Sequence, residues 1–199
     1  EAGDYATALQ EWRPLAEQGI AEAQSNLGFM YDNGQGVLQD DAEAVKWHRL
    51  AAEQGNAQAQ FNLGALYGNG EGLLQDDAEA VKWFRLAAEQ GDAQAQFNLG
   101  IMYANGRGVL QDYAEAVKWY RLAAEQGQAD AQGNLGFMYD NGRGVLQDAV
   151  LAHMWFNIAG ANGNALGSEN RGKIEKIMTR EQIADAQVIA RRCMASNYQ

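Results

Sequence analysis

The sequence predicts an all-α fold, an array of stacked helix pairs, on three observations. The first is a period: behind a half-block at 1–19, the 199 residues repeat every 36, in blocks 20–55, 56–91, 92–127, 128–163 and 164–199. The second is punctuation, with 23 glycines and a single proline set between apolar segments, as in helices separated by glycine turns. The third is apolar spacing at i, i+3 and i+4 within each segment. Length alone suggests one or two globular domains, but repeats stack along one axis and share a core, so 1–199 is expected to form a single solenoid domain.

The half-block aligns with the second half of a repeat. Asp4, Tyr5 and Ala6 match Asp112, Tyr113 and Ala114, and Glu17, Gln18 and Gly19 match Glu125, Gln126 and Gly127. Pro14 falls in the column of Leu50 and Leu86. Proline removes a hydrogen bond and crowds the preceding turn, so this helix is expected to kink or end near Arg13.

Each full block then reads as a helix A, a loop and a helix B. In the second block helix A covers 57–67 and stops at Asn69 and Gly70, which tolerate a left-handed backbone. Asn56 and Asp92 are good N-caps for their A helices, whereas Ile20 and Gln128 are not. Loops are expected at 34–39, 70–75, 106–111 and 142–147. Asp40, Asp76, Asp112 and Asp148 then cap the B helices. Glu43, Glu79 and Glu115 complete capping boxes in three of them, and Leu151 breaks the fourth. Residues 40–55 and 76–91 differ only at His48 and Phe84, and 112–127 departs from the latter only at Tyr113 and Tyr120. The B helices end at Gly55, Gly91, Gly127 and Gly163.

The faces follow from spacing. On the first B helix Ala44, Trp47 and Ala51 form one apolar stripe and Val45, His48 and Ala52 the next, while Lys46, Arg49 and Glu53 face water. On helix A the core stripe is Ala23, Leu27, Met30 and Tyr31. Gly28, Gly64, Gly100 and Gly136 stand inside the A helices, where each costs about 1 kcal/mol against alanine, which predicts a second backbone passing close. The last block abandons the pattern. Residues 164–178 read as one amphipathic helix, and Thr179 to Gln182 as the capping-box start of another that ends near Ser196. This pair is expected to cap the array, giving about eleven helices in all.

Composition excludes other classes. Apolar residues make up 47%, enough for a core. No apolar run reaches the ~20 residues of a membrane span, so no membrane insertion is expected. One cysteine, Cys193, permits neither an internal disulfide nor a multi-cysteine zinc site. Fifteen Lys and Arg against 26 Asp and Glu give a net charge of −11 spread along the array. That argues against nucleic acid and for a basic or neutral partner. The chain begins at Glu1 rather than methionine, which predicts a processed or trimmed N-terminus.

The run Ala-Gln-x-x-Leu-Gly-x-x-Tyr, then Asn-Gly-x-Gly-Val/Leu-x-x-Asp, then Ala-x-x-Trp-x-x-x-Ala-Ala-x-x-Gly resembles the Sel-one-like repeat, a relative of the tetratricopeptide repeat with a longer loop. The resemblance recurs four times and covers nearly the whole chain. It implies a right-handed α/α superhelical solenoid that serves as a protein-interaction scaffold rather than an enzyme. The ending, from Met154 to Tyr198, is similar to that of exported bacterial members of the family, which implies a periplasmic or secreted protein. In several of those a second cysteine follows the position of Cys193. The resemblance therefore implies a disulfide in any longer chain and a free thiol in this one. Cysteine-rich members linked to β-lactam binding or hydrolysis carry a cysteine pair in each repeat, which this chain lacks. A cell-wall or glycan binder using Phe61 and Phe97 is the other alternative.

Candidate chemistry is sparse. Trp47, Trp83, Trp119 and Trp155 recur at the repeat period and read as core beside small alanines, not as a stacking platform. The Gly-x-Gly loops lack the lysine and preceding strand of a phosphate-binding loop, and the nearby acids lack calcium-loop spacing. His48 lies in a column with Phe84, Tyr120 and Phe156 and reads as a packing substitution. Neither it nor His153 has a nucleophile beside it. No catalysis and no cofactor are expected.

One column carries a binding hypothesis. Asn26, Asn62, Asn98 and Asn134 recur on the A helices, about 100° from the leucine stripe. Their face-mates vary most among the near-identical repeats and include Phe29, Phe61, Phe97 and Ile101. In stacked helix pairs the A helices line the concave side. The asparagines either bond a neighbouring helix or loop, or form a ladder along a partner polypeptide, with the apolar residues as pockets between its rungs.

Overall fold

The computed structural model describes residues 5–196. They form eleven α-helices and, among the described residues, no strand. The chain divides into two compact units, Glu1–Ala95 and Gln96–Gln199.

Unit 1 contains α1 (Tyr5–Glu17), α2 (Ala21–Asn33), α3 (Asp41–Glu53), α4 (Ala57–Asn69), α5 (Asp77–Glu89) and the start of α6 (Ala93–Asn105). Successive helices pack on one another. Leu27 and Met30 of α2 meet Leu9, Trp12 and Ala16 of α1. Further along, Leu63 and Leu66 of α4 meet Ala51 and Ala52 of α3 and Trp83 of α5. Unit 2 holds the rest of α6, α7 (Tyr113–Glu125), α8 (Ala129–Asn141), α9 (Ala149–Ala161), α10 (Ala165–Ile174) and α11 (Arg180–Ala195). Its centre is α9, which packs on α8, α10 and α11. Ala190 with Cys193 and Met194 closes the cluster around Leu135, Trp155 and Ile158.

The caps set most boundaries. Gly34, Gly70 and Gly142 end α2, α4 and α8 with φ of 63°, 73° and 63°. Asp76 accepts the backbone N–H groups of Ala78 and Glu79 at 2.9 and 3.0 Å, and Asp40, Asp112 and Asp148 do the same for their helices. The loops therefore fall where the sequence predicts them. Trp83 and Trp155 are buried, as expected for a core column.

Five local expectations change. First, α1 runs through Pro14 to Glu17. Pro14 is exposed, so water solvates the carbonyl left without its N–H partner, and packing of Trp12 and Ala16 on α2 holds the helix together. Second, Gln128 does cap α8, its side chain accepting the Ala131 N–H at 2.7 Å. Third, Glu43 does not close a capping box: its carboxylate takes Lys46 Nζ and the Trp47 indole N–H. Thr179 with Gln182 does form the reciprocal box. Fourth, α10 ends at Ile174, short of Met178, and a turn leads into α11. Fifth, the helix-interior glycines face a side chain, not a backbone. A Cβ on Gly28, Gly64, Gly100 or Gly136 would sit 2.8, 2.8, 2.6 or 2.5 Å from the ring of His48, Phe84, Tyr120 or Phe156. Each ring of the B helix lies on the missing methyl of its own A helix.

Candidate partner-binding face

The asparagine column sits beside these rings. In unit 1 the Asn62 side chain lies 3.5 Å from His48 Nε2 and accepts a hydrogen bond from Gln58 at 3.1 Å. In unit 2 Asn134 hydrogen-bonds the Tyr120 hydroxyl. Burial pushes the Tyr120 phenol up to about 12, with the Asn134 bond acting the other way, so it stays neutral at any physiological pH. Burial lowers His48 to about 4, so it is a neutral ring at pH 7. These asparagines are half-buried and part of their hydrogen-bonding capacity serves the contact between repeats.

The apolar face-mates divide by unit. In unit 1 Phe61 leans on Phe84 at 5.9 Å between ring centroids, and Phe29 is 46% exposed. In unit 2 Phe97 leans on Tyr120 at 6.1 Å, and Phe137 is 42% exposed. Asn26 and Asn98 are also half-buried.

One cleft collects several of these residues. Phe97, Ile101, Asn134 and Phe137 line an open depression of about 430 Å³, together with Leu166 and Asn170 of α10. Its origin is a single substitution: Gly133 occupies the column that holds Phe61 and Phe97, and leaves the ring's volume empty. Asn164 borders the gap, accepting the Gly167 N–H as the cap of α10 and donating to Asp130 at 2.6 Å. The face therefore offers apolar walls with carboxamides at the rim.

The sequence reading missed Phe137, Leu166 and Asn170 at this cleft. Phe137 shares its column with Phe29, a signal already present, whereas Leu166 and Asn170 come from a helix outside the repeat pattern. A second amide column was also missed. Gln60 is buried, donates to the Ala52 carbonyl at 3.1 Å and accepts from Gln90 at 2.7 Å. Gln24 with Gln54 and Gln132 with Asn162 repeat the arrangement.

The Sel1 repeat model matches residues 21–56, 57–92, 93–128 and 129–164. The chain belongs to the Sel1 repeat family. Sel1 repeat proteins are generally scaffolds for protein–protein interaction. Among solved structures, c5321 of uropathogenic Escherichia coli, a protective antigen with an SLR fold, is 39% identical with a TM-score of 0.87, over 96% of this chain and 42% of that one. A Sel1 repeat protein of Oxalobacter formigenes is 37% identical with a TM-score of 0.80, over 85% of this chain and 70% of its own. Helicobacter pylori cysteine rich protein B, 22% identical with a TM-score of 0.53 over 66% of this chain and 94% of its own, shares the fold alone. The chain thus spans less than half the length of c5321. No curated protein matches the chain. The described helices include none long and apolar enough to cross a membrane, and the described residues contain no cluster of three or more metal-ligating side chains.

Proposed function

We propose that this Sel1 repeat chain is a non-catalytic scaffold that holds a segment of a partner protein on the A-helix face, with the cleft at Gly133 as the principal anchor of unit 2. The observation that carries the reading is that cleft: a missing side chain in a repeated column leaves an apolar recess walled by Phe97, Ile101, Phe137 and Leu166. Recesses of this kind, apolar with a few convergent polar groups, take a side chain and fix the backbone around it. Asn134 and Asn170, and Asn98 on the same face, are the groups that read the partner's peptide units. Asn26, Phe29, Phe61 and Asn62 form the corresponding surface of unit 1. The cleft lining carries no cation, and the chain's charge is −11, so the partner segment is neutral or basic and inserts an aliphatic or aromatic residue. We also place the protein outside the cytoplasm, since its relative c5321 is a protective antigen.

The test uses Gly133→Phe, which restores the ring found at 61 and 97. A Cβ at 133 meets only Asn164 at 3.5 Å, an ordinary contact, so the helix tolerates the change. With a photo-crosslinking residue in place of Phe137, a partner captured from the envelope fraction should disappear in the Gly133→Phe background and weaken with Asn134→Ala. Capture that persists undiminished with Gly133→Phe places binding elsewhere.

A further inference from the structure

Away from the A-helix face the chain repeats a second surface. Each loop between an A and a B helix carries a leucine, and Leu38, Leu74, Leu110 and Leu146 are 90%, 91%, 91% and 90% exposed. The residue before each, Val37, Leu73, Val109 or Val145, is half-buried and makes the turn's inward contact. The leucine therefore does nothing for the fold, and leaving it in water forgoes the ~1.5–3 kcal/mol that burial would yield. The loops also stack within each unit. Gly72 lies against the backbone of Asp41, and Gly144 against that of Tyr113. In unit 1 the loops at 34–40 and 70–76 thus form one rim that presents Leu38 and Leu74.

The rims of the two units differ in charge. Residues 29–45 and 65–81 contain eight carboxylates and no lysine or arginine, whereas 101–117 and 137–153 contain four carboxylates and two arginines. Glu43 and Glu79 are paired by Lys46 and Lys82 from just beyond these segments, which still leaves the unit 1 rim net negative. Asp32 feels that crowding: burial, then Glu71 and Asp41, hold its carboxyl above the usual range.

We propose that the loop rim of unit 1 docks a basic amphipathic helix of a partner protein, with Leu38 and Leu74 packing on two of its apolar side chains one heptad apart. Equivalent points of stacked repeats step by roughly 10 Å, the spacing of packed helices. Seven residues of a helix rise by about 10.5 Å and return nearly to the same face. An extended chain presents the same face only every second residue, in steps of about 7 Å, and does not match the two leucines. The acidic groups around them select lysine and arginine on the helix flanks. The same charge repels anionic lipid headgroups and a second copy of this rim.

A three-heptad helical peptide with leucine at every seventh position and lysines on the flanks is the probe, followed by fluorescence anisotropy with the full chain. The probe should bind, and versions with leucines replaced by serine or lysines by glutamate should bind roughly tenfold or more weakly. Leu38→Ser with Leu74→Ser should cause the same loss with an unchanged thermal melt, because these side chains pack on nothing. Leu110→Ser with Leu146→Ser, and Gly133→Phe, should leave the affinity unaltered, which separates this surface from the A-helix cleft. Equal binding of the leucine-free peptide, or equal binding by wild type and the Leu38/Leu74 variant, overturns the proposal. So does a wild-type dimer that the double variant dissociates, which gives the rim to a second copy. Flotation on phosphatidylcholine vesicles that the double variant abolishes gives it to a membrane, and is equally fatal.

Discussion

A Cβ at Gly64 would sit 2.8 Å from the buried Phe84 ring, while one at Gly68, a turn along the same helix, would meet only the Ala80 methyl at 3.7 Å. Alanine gains about 1 kcal/mol over glycine inside a helix at either place. At 64 that gain competes with overpacking of a ring that cannot swing away, about 1–3 kcal/mol. Gly64→Ala should therefore lower the urea midpoint and Gly68→Ala should raise it; a rise for both means the ring has room to shift. His48 shows the same column under another chemistry. It is fully buried, its Nδ1 has no hydrogen-bond partner, and burial lowers it from 6.5 to about 4. Above pH 6.5 neither folded nor unfolded chain protonates it, and it has no effect. Between 6.5 and about 4 the unfolded chain takes a proton that the fold refuses, so stability drops as the pH falls, by up to about 3 kcal/mol. Below about 4 this group adds nothing more. His48→Phe, which matches Phe84 and Phe156, should remove that loss, so its advantage over wild type in urea should grow from pH 7 to pH 4.5. An advantage that stays constant means the folded chain accepts the proton.

At the scale of single elements, what was legible depended on how local the cause is. A cap is a contact between residues two or three apart, so Asp76 and Gly70 announce the ends of their helices without any knowledge of the fold. The continuity of α1 through Pro14 was not legible, because a local rule predicts a break and only packing on α2 overrides it. Glu43 has the spacing of a capping-box partner, yet its carboxylate finds the indole N–H of Trp47 one turn on, a choice that depends on rotamers. The glycine column was visible and its cause misread: spacing shows that something passes close, and the ring across the helix pair shows what. The candidate site divides in the same way. The asparagine column and its varied face-mates stand out against near-identical repeats. The cleft does not, since it needs Gly133 and Leu166 together, thirty-odd positions apart and only one of them within the repeat pattern.

For the molecule as a whole, repetition makes cohesion a sum over neighbouring contacts, with every helix held by those beside it and none by a common centre. Trp83 belongs to the cluster formed by Val45, Ala51, Ala52, Ala59, Leu63 and Leu66, on α3 and α4. Trp155 belongs to another, with Tyr120, Leu135, Ile158 and Ala190. Trp83→Ala opens a cavity in the first and should cost about 3–5 kcal/mol there. In a globular core that loss is felt everywhere. In an array it falls on the elements that share the cluster, and the rest keep their own contacts. Native-state hydrogen exchange reads the difference directly. Amides of α3, α4 and α5 should lose at least roughly a hundredfold of protection in Trp83→Ala, by the usual conversion of free energy to opening constants. Those of α8, α9 and α11 should retain wild-type protection, because none of their residues touches the vacated space. If the amides of α8 and α9 instead open together with those of α4, unfolding is all-or-none across the chain, and stability is not shared between neighbours alone.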